Sequence, residues 1–150
     1  MFPLLIKQPK TKTDLQHLQH FILKQPQFYP RHETWVRQKC IPFLKQGEYT
    51  AFLMPSGDGK AIGDVVYTHV TKDQIKIKNF RIDPEYRNRD LGRFMLTQVY
   101  FETNKAEMVL DVTTDNFAGI EFFIRNGFHI IRKERLYIPT QDEYIMIRPS

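Results

Sequence analysis

The sequence predicts a mixed α/β (α+β) fold in which about four helices flank a sheet of six to seven strands. Its 150 residues, 41% of them apolar, are enough for one domain with a buried core. Short runs in which apolar and polar residues alternate are typical of half-buried strands. Other segments carry apolar residues at helical spacing. We therefore expect residues 1–150 to form a single domain in which helices connect strands.

The N-terminal third is predicted to hold one strand and two helices. Residues 1–6 are apolar and indicate a strand, since they are too few for a signal peptide or a membrane span. Thr13 opens a Thr-x-x-Gln capping-box pattern, from which a helix runs to about Lys24. A second helical segment covers residues 33–44, where we expect Pro42 to break or kink the helix.

The rest of the chain is predicted to combine strands and helices. Residues 55–59 have the sequence Pro-Ser-Gly-Asp-Gly, which is typical of a turn and predicts an antiparallel hairpin. The alternation of the third strand slips by one residue at Lys78-Asn79, which predicts a bulge. The strands are expected at 49–54, 61–70, 75–82, 108–113, 128–132 and 144–148, and the helices around 91–99 and at 116–126.

Composition limits the classes of partner. Lys plus Arg exceed Asp plus Glu by 22 to 17, and the net charge of +5 favours an anionic ligand such as a nucleotide or phosphate. The basic residues are scattered, so a nucleic-acid-binding protein is an alternative based only on charge and aromatic content. The one cysteine, Cys40, excludes an internal disulfide and is expected to be buried in a cytoplasmic protein. The histidines lack metal-ligand spacing, so no metal site is predicted.

The strongest functional signal lies in residues 80–93, where a strand leads through a turn into the start of a helix. A helix N-terminus has unpaired N–H groups and a partial positive charge, which together suit an anion. Gly92 would let a pyrophosphate approach the backbone, and Arg87, Arg89 and Arg93 add three cations. The stretch therefore predicts a phosphate-binding site.

These residues resemble the acyl-CoA-binding motif of the GNAT superfamily of N-acyltransferases, Arg/Gln-x-x-Gly-x-Gly/Ala. Arg87 and Gly92 match its first and last positions. Asn116 and the pair 127–128 match a second family pattern, Asn-x-x-Ala-x-x-x-Tyr-x-x-x-Gly-Phe. The resemblance covers residues 49–148 and implies the GNAT fold, with a central mixed and strongly twisted sheet.

The resemblance implies an N-acetyltransferase that uses acetyl-CoA as acyl donor and releases CoA. The acceptor would be a primary amine of a small molecule or peptide, attacking the thioester directly. A non-catalytic or weakly catalytic acyl-CoA-binding module is the alternative, and the oligomeric state is left open, with a homodimer as one option. The cofactor-binding residues implied by motif position are Phe80, Arg81, Ile82, Arg87, Asn88, Arg89, Asp90, Leu91, Gly92, Arg93, Asn116 and Phe123.

Two positions depart from the family pattern. Asp90 occupies the first glycine of the motif, where it would place a negative charge beside the phosphates. Phe123 stands where the family has a tyrosine that protonates the leaving thiolate, so another group must supply that proton. The catalytic residues are therefore left open. The candidates are Asp64, His69 and Asp111 for a general base, and Tyr137 and Tyr144 for the acid.

Overall fold

The structure is a computed structural model that describes residues 6–25, 29, 31–58 and 60–150. Its elements confirm the predicted mixture of helices and strands. The helices are α1 (Lys12–Lys24), α2 (His32–Trp35), α3 (Ile41–Gln46), α4 (Leu91–Glu102) and α5 (Phe117–Arg125), with a π-helical turn (Val36–Cys40) joining α2 to α3. The strands are β1 (Thr50–Pro55), β2 (Ala61–Thr71), β3 (Gln74–Ile82), β4 (Glu107–Thr113), β5 (His129–Glu134) and β6 (Glu143–Arg148).

The described strands follow the order β1-β2-β3-β4-β6-β5. β1 and β2 form the predicted antiparallel hairpin, β3 pairs parallel with β4, and β6 is antiparallel to both β4 and β5. The sheet is therefore mixed, as the sequence predicted. Of the strand expected at 1–6, all but Ile6 lies outside the described residues. The next residue, Lys7, forms an antiparallel bridge with Leu53.

The chain divides into two compact units. One contains the residues up to Thr68 together with Lys78–Val99, and the other contains His69–Ile77 and Tyr100–Ser150. In the first unit, a core cluster joins α1 and the helical segment 32–46 to β1 and β2; its most deeply buried members include Leu18, Phe21, Ile22, Val36 and Leu53. In the second unit, the fully buried Met108 and Met146 lie on the paired strands β4 and β6.

Helix α1 begins two residues earlier than the capping box predicted. Thr11 is the N-cap, and its side-chain hydroxyl accepts a hydrogen bond from the Asp14 backbone N–H at 3.0 Å. Thr13 lies inside the helix, so the predicted capping box was wrong. Both threonines offer a capping hydroxyl, and the structure shows that the Thr11 hydroxyl takes the capping role. The predicted end at Lys24 is confirmed.

The second helical segment continues past Pro42 instead of breaking there, although its α-helix is interrupted just before the proline. A π-helical turn over Val36–Cys40 precedes it, and the Ile41 N–H bonds to the Val36 carbonyl. Pro42 then falls in the first turn of α3, a position at which helices tolerate proline. The wider π turn therefore accommodates the proline within a continuous helical segment.

The burial pattern of β3 differs from the predicted slip at Lys78-Asn79. Ile75, Ile77 and Asn79 are all buried, so the alternation continues through Asn79 and changes only between Asn79 and Ile82. The sequence suggested a slip because Asn79 is polar at a position where the pattern requires a buried residue. Its amide instead pairs with a buried acid, Asp64.

Cys40 is buried, as predicted, and burial raises the pKa of its thiol. The high pKa keeps the sulfur in the unreactive thiol form.

In the described part of the chain, no helix combines the length and the apolar character that crossing a bilayer requires.

Candidate active site

The turn between β3 and α4 is fixed to the end of the strand by short-range hydrogen bonds. The Asp83 carboxylate accepts from the Glu85 backbone N–H at 3.0 Å and caps a 3₁₀ turn over Pro84–Tyr86. The Arg87 side chain then reaches back, and its Nε donates to the Ile82 carbonyl at 3.1 Å. The arginine at the first motif position is therefore oriented by the strand itself.

Two residues of this turn have left-handed backbone conformations. Asn88 has a φ of 63° and Asp90 a φ of 58°. Asn and Asp tolerate this region better than most residues, which explains how aspartate can replace the motif's first glycine. The Asp90 carbonyl accepts the first hydrogen bond of α4, from the Phe94 N–H at 3.0 Å. Helix α4 therefore begins directly after the turn.

Helix α4 is anchored by the apolar face predicted from its spacing. Leu91, Met95 and Val99 are all buried. A Cβ built at Gly63 on β2 would lie 3.0 Å from the Met95 Cε and 2.9 Å from the Ile82 Cδ1, so glycine allows strand and helix to approach closely there. The N-terminus of α4 is therefore held against the sheet within the first unit.

The start of α4 concentrates positive charge. Arg87, Arg89 and Arg93 are exposed, and the Arg89 guanidinium lies 5.3 Å from the centre of the Tyr86 ring. The first N–H groups of a helix, here those of Leu91, Gly92 and Arg93, have no partner within the helix. These donors, the helix dipole and the guanidinium groups can together bind a phosphate or pyrophosphate.

Replacing Asp90 by glycine is expected to tighten acetyl-CoA binding a few-fold, because an exposed negative charge is removed from this cationic turn. Glycine adopts a φ of 58° without strain, which offsets the extra freedom it gives the unfolded chain, so unliganded stability should change by about 1 kcal/mol or less. Isothermal titration at two salt concentrations measures the effect, and the gain should shrink at high salt. Weaker binding of acetyl-CoA by the variant at low salt would instead show that Asp90 is needed to hold the conformation of the turn.

Asp64 is a fully buried acid in the first unit. Both of its carboxylate oxygens accept from the Asn79 side-chain amide, at 3.1 and 2.9 Å. Burial raises its pKa to about 7, although the Asn79 hydrogen bonds and the positive charge of Arg81 both act to lower it. A pKa near neutrality suits a general base, but the side chain has no solvent access.

In the second unit, Asn116 and Phe123 lie at the two ends of α5. The Asn116 side chain caps the helix by accepting from the Gly119 N–H at 3.0 Å, and a Cβ at Gly119 would approach it to 2.6 Å. Phe123 is buried, and its ring packs edge-on against Phe128 at 5.2 Å between centroids. Both family positions are therefore firmly held within this unit.

The structure brings together two of the candidate catalytic residues in the second unit. The Tyr137 hydroxyl donates a short hydrogen bond to the Asp111 carboxylate, which also lies 3.8 Å from the Lys76 ammonium. Asp111 is half-buried, whereas Tyr137 is exposed. Tyr144 lies on β6, opposite Val112 of β4. His69 is exposed, and its Nδ1 lies 3.3 Å from the Thr71 carbonyl oxygen.

Sequence reasoning missed Asn79 and His32. Asn79 is the amide partner of Asp64, and the break in apolar alternation at its position was the signal that could have identified it. His32 is buried at the start of α2, 5.5 Å from the Trp35 ring. Only the fold reveals that burial, because nothing in the local sequence separates this histidine from an exposed one.

Comparison with known proteins agrees with this geometry. The model of the acetyltransferase (GNAT) family matches residues 14–128. The [ribosomal protein bS18]-alanine N-acetyltransferase of Escherichia coli K12 is 31% identical over 100 residues, which are 65% of this chain and 67% of that protein.

Solved structures show the same fold. The crystal structure of the ribosomal-protein-S18-alanine N-acetyltransferase from Escherichia coli has a TM-score of 0.74 at 25% identity, covering 98% of this chain and 94% of that one. PaiA N-acetyltransferase from Thermoplasma acidophilum, solved with coenzyme A, has a TM-score of 0.72 at 17% identity, covering 99% and 100%. Fold and turn together define an N-acetyltransferase, and the chain belongs to the GNAT family of acetyltransferases.

Proposed function

We propose that this chain transfers the acetyl group of acetyl-CoA to a primary amine of a small molecule or peptide, as a single cytoplasmic domain of residues 1–150. The turn between β3 and α4 is the observation that carries the proposal. Its left-handed Asn88 and Asp90 present the start of α4 beside exposed arginines, which suits the pyrophosphate of CoA. The N-acetyltransferase of similar fold solved with coenzyme A supports the choice of ligand, and the relative acting on a ribosomal protein alanine supports an amine acceptor.

The transfer requires one bond to form and one to break. The nitrogen lone pair of a neutral amine attacks the thioester carbonyl carbon, the C–S bond breaks, and CoA leaves as a thiolate. The amine nitrogen loses a proton to a base, and the thiolate takes one from an acid or from water. A thiol has a pKa of about 8.5, so the CoA thiolate is a good leaving group and needs little help from an acid.

We assign the proton transfers to Asp111 and Tyr137. Their hydrogen bond supports the assignment, since a carboxylate and a phenol in contact can pass a proton between them. Phe123 has no hydroxyl, so the usual acid of the family is missing at that position. The same absence favours a second candidate function, an acyl-CoA-binding module without turnover.

Release of CoA thiol in the presence of acetyl-CoA and an amine panel tests the proposal. The panel includes small primary amines and a peptide with an N-terminal alanine. Amine-dependent thiol release, together with acetylated product by mass spectrometry, is the expected result. Binding of acetyl-CoA without release for any amine would favour the binding module.

Two tyrosine variants in the same assay test the proton assignment. Tyr137→Phe should lower kcat by about 10²-fold or more, the usual size of a general acid–base contribution, with the KM for acetyl-CoA little changed. Tyr144→Phe is the matched control and should stay close to the parent. A loss of rate in Tyr144→Phe alone would transfer the role to Tyr144.

A further inference from the structure

A cleft of about 400 Å³ lies at the outer edge of β1 in the first unit. It is open to solvent, and its volume falls within the range of roughly 300–1,000 Å³ that is usual for small-ligand sites. The segment that precedes α1, the end of α3 and the start of β1 form its walls. None of its lining residues belongs to the turn between β3 and α4, so the proposed acetyl transfer gives the cleft no role.

The wall formed by β1 contains a backbone position without a partner on its outer edge. The Leu53 N–H and carbonyl both bond to Lys7, at 2.7 and 3.0 Å, so alternate residues of β1 point these groups to that edge. Four residues earlier, the Tyr49 N–H bonds to the Phe43 carbonyl at 3.1 Å. Ala51 lies between these two positions and is 2% exposed, and no described residue outside the strands bonds to its N–H or carbonyl. Backbone groups of buried residues are nearly always paired, so this position calls for a partner.

Pro9 prevents the chain from filling this position itself. Lys7 lies opposite Leu53, and continuing that register would place Pro9 opposite Ala51. Proline has no N–H to donate to the Ala51 carbonyl. Pro9 and Ala51 both line the cleft, so the two segments have separated there. The structure therefore leaves one pairing position of β1 open to a ligand.

The cleft also carries two unpaired positive charges. Lys10 and Lys45 line it and are exposed, and within the described part of the chain neither ammonium group forms an ion pair or a hydrogen bond. The described residues that line the cleft include no acid. Asp14, in the first turn of α1, is already paired with the Lys7 ammonium at 2.9 Å. The lining is therefore cationic.

We infer that this cleft binds a short acidic peptide. The peptide backbone donates to the Ala51 carbonyl and accepts from its N–H, as an added β-strand does. The carboxylates of the peptide pair with the Lys10 and Lys45 ammonium groups, and Leu15 and Leu44 offer apolar surface to its other side chains. Inorganic phosphate would complement the lysines but leave the Ala51 carbonyl unpaired, because phosphate oxygens act mainly as acceptors.

Three peptides of equal length test the inference by calorimetry. They are acetyl-Ala-Asp-Glu-Ala-amide, its neutral analogue acetyl-Ala-Asn-Gln-Ala-amide, and the acidic peptide with N-methyl groups on its two central residues. The acidic peptide should bind about tenfold more tightly than the neutral one, the usual effect of a charge-assisted hydrogen bond. N-methylation removes backbone donors and should weaken binding about fivefold. None of the peptides has a primary amine, so the result does not depend on acetyl transfer.

The double variant Lys10→Gln/Lys45→Gln should lose the preference for the acidic peptide. Its melting temperature should stay close to that of the parent, because both lysines are exposed and have no partner in the described chain. Lys39→Gln is the matched control, since Lys39 is an exposed lysine of the π-helical turn that does not line the cleft, and this variant should keep the preference.

Nuclear magnetic resonance identifies the position of the peptide. The Ala51 amide proton of the parent should shift when the acidic peptide is added, and it should shift less with the N-methylated peptide. Equal affinity for the acidic and neutral peptides, an unchanged preference in the double variant, or an Ala51 amide that does not respond would each overturn the inference. Inorganic phosphate that displaces the acidic peptide with equal affinity would also overturn it and would show a simple anion site.

Discussion

Replacing Asp64 by asparagine is expected to abolish a pH dependence of stability. The free energy of unfolding of the parent should fall by about 4 kcal/mol as pH rises from 3.8 to about 7, and that of the variant should not show this fall. The buried carboxyl has a folded-state pKa of about 7 and an ordinary value of 3.8, so the folded state holds its proton more tightly. Below 3.8 both states are protonated and the stabilisation is complete. As pH rises towards 7 the unfolded state ionises first, and that stabilisation is lost.

Denaturant unfolding across this pH range measures the free energy of unfolding of the parent and of the variant. The difference between the two isolates Asp64, because the other acids contribute to both proteins alike. Asp14→Asn is the matched control, because the Lys7 ammonium lowers the pKa of Asp14 and reverses the sign of its pH dependence. Parallel pH profiles for the parent and Asp64→Asn would show that Asp64 is ionised throughout, with Arg81 compensating its charge.

Acetyl-CoA is expected to stabilise the protein by roughly 2.7 kcal/mol at about 100 times its dissociation constant, which raises the melting temperature by several degrees. Ligand binding to the folded state alone produces this shift, and the cationic start of α4 is the proposed site. The double variant Arg89→Ala/Arg93→Ala should lose much of the shift, since it removes two exposed guanidinium groups there.

Thermal melts with acetyl-CoA, CoA and ATP measure this shift. Arg125→Ala is the control, because Arg125 is an exposed arginine paired with Glu121 on α5. The control should keep the full shift, and raised salt should reduce the shift of the parent. An unchanged melting temperature at millimolar acetyl-CoA would refute the proposed cofactor site.

The sequence predicted most elements because their signals are local. The apolar face of α4 and the hairpin of β1 and β2 follow from periodicity and turn residues, and both are confirmed. The errors arose where two local signals compete. Thr11 and Thr13 both offer a capping hydroxyl, and Pro42 has different effects inside a helix and at the start of one.

The candidate site shows the same division. Arg87, Asp90 and Gly92 were identifiable because the strand–turn–helix segment that carries them is continuous in sequence. The role of Asp90 as a left-handed residue that opens α4 needed the backbone. The contact of Tyr137 with Asp111 joins residues 26 positions apart, so no local pattern could have predicted it.

The sequence alone therefore determined the fold class, the GNAT motif and the cationic turn, all of which depend on the order of neighbouring residues. Only the tertiary structure decided which polar side chains are buried and which partners they have. Asp64 is an ordinary acid by sequence, and its raised pKa exists because β3 brings Asn79 against it and the fold excludes water. His32 is likewise an ordinary histidine by sequence, and its pKa is lowered because the fold buries it, since desolvation is a property of three-dimensional packing.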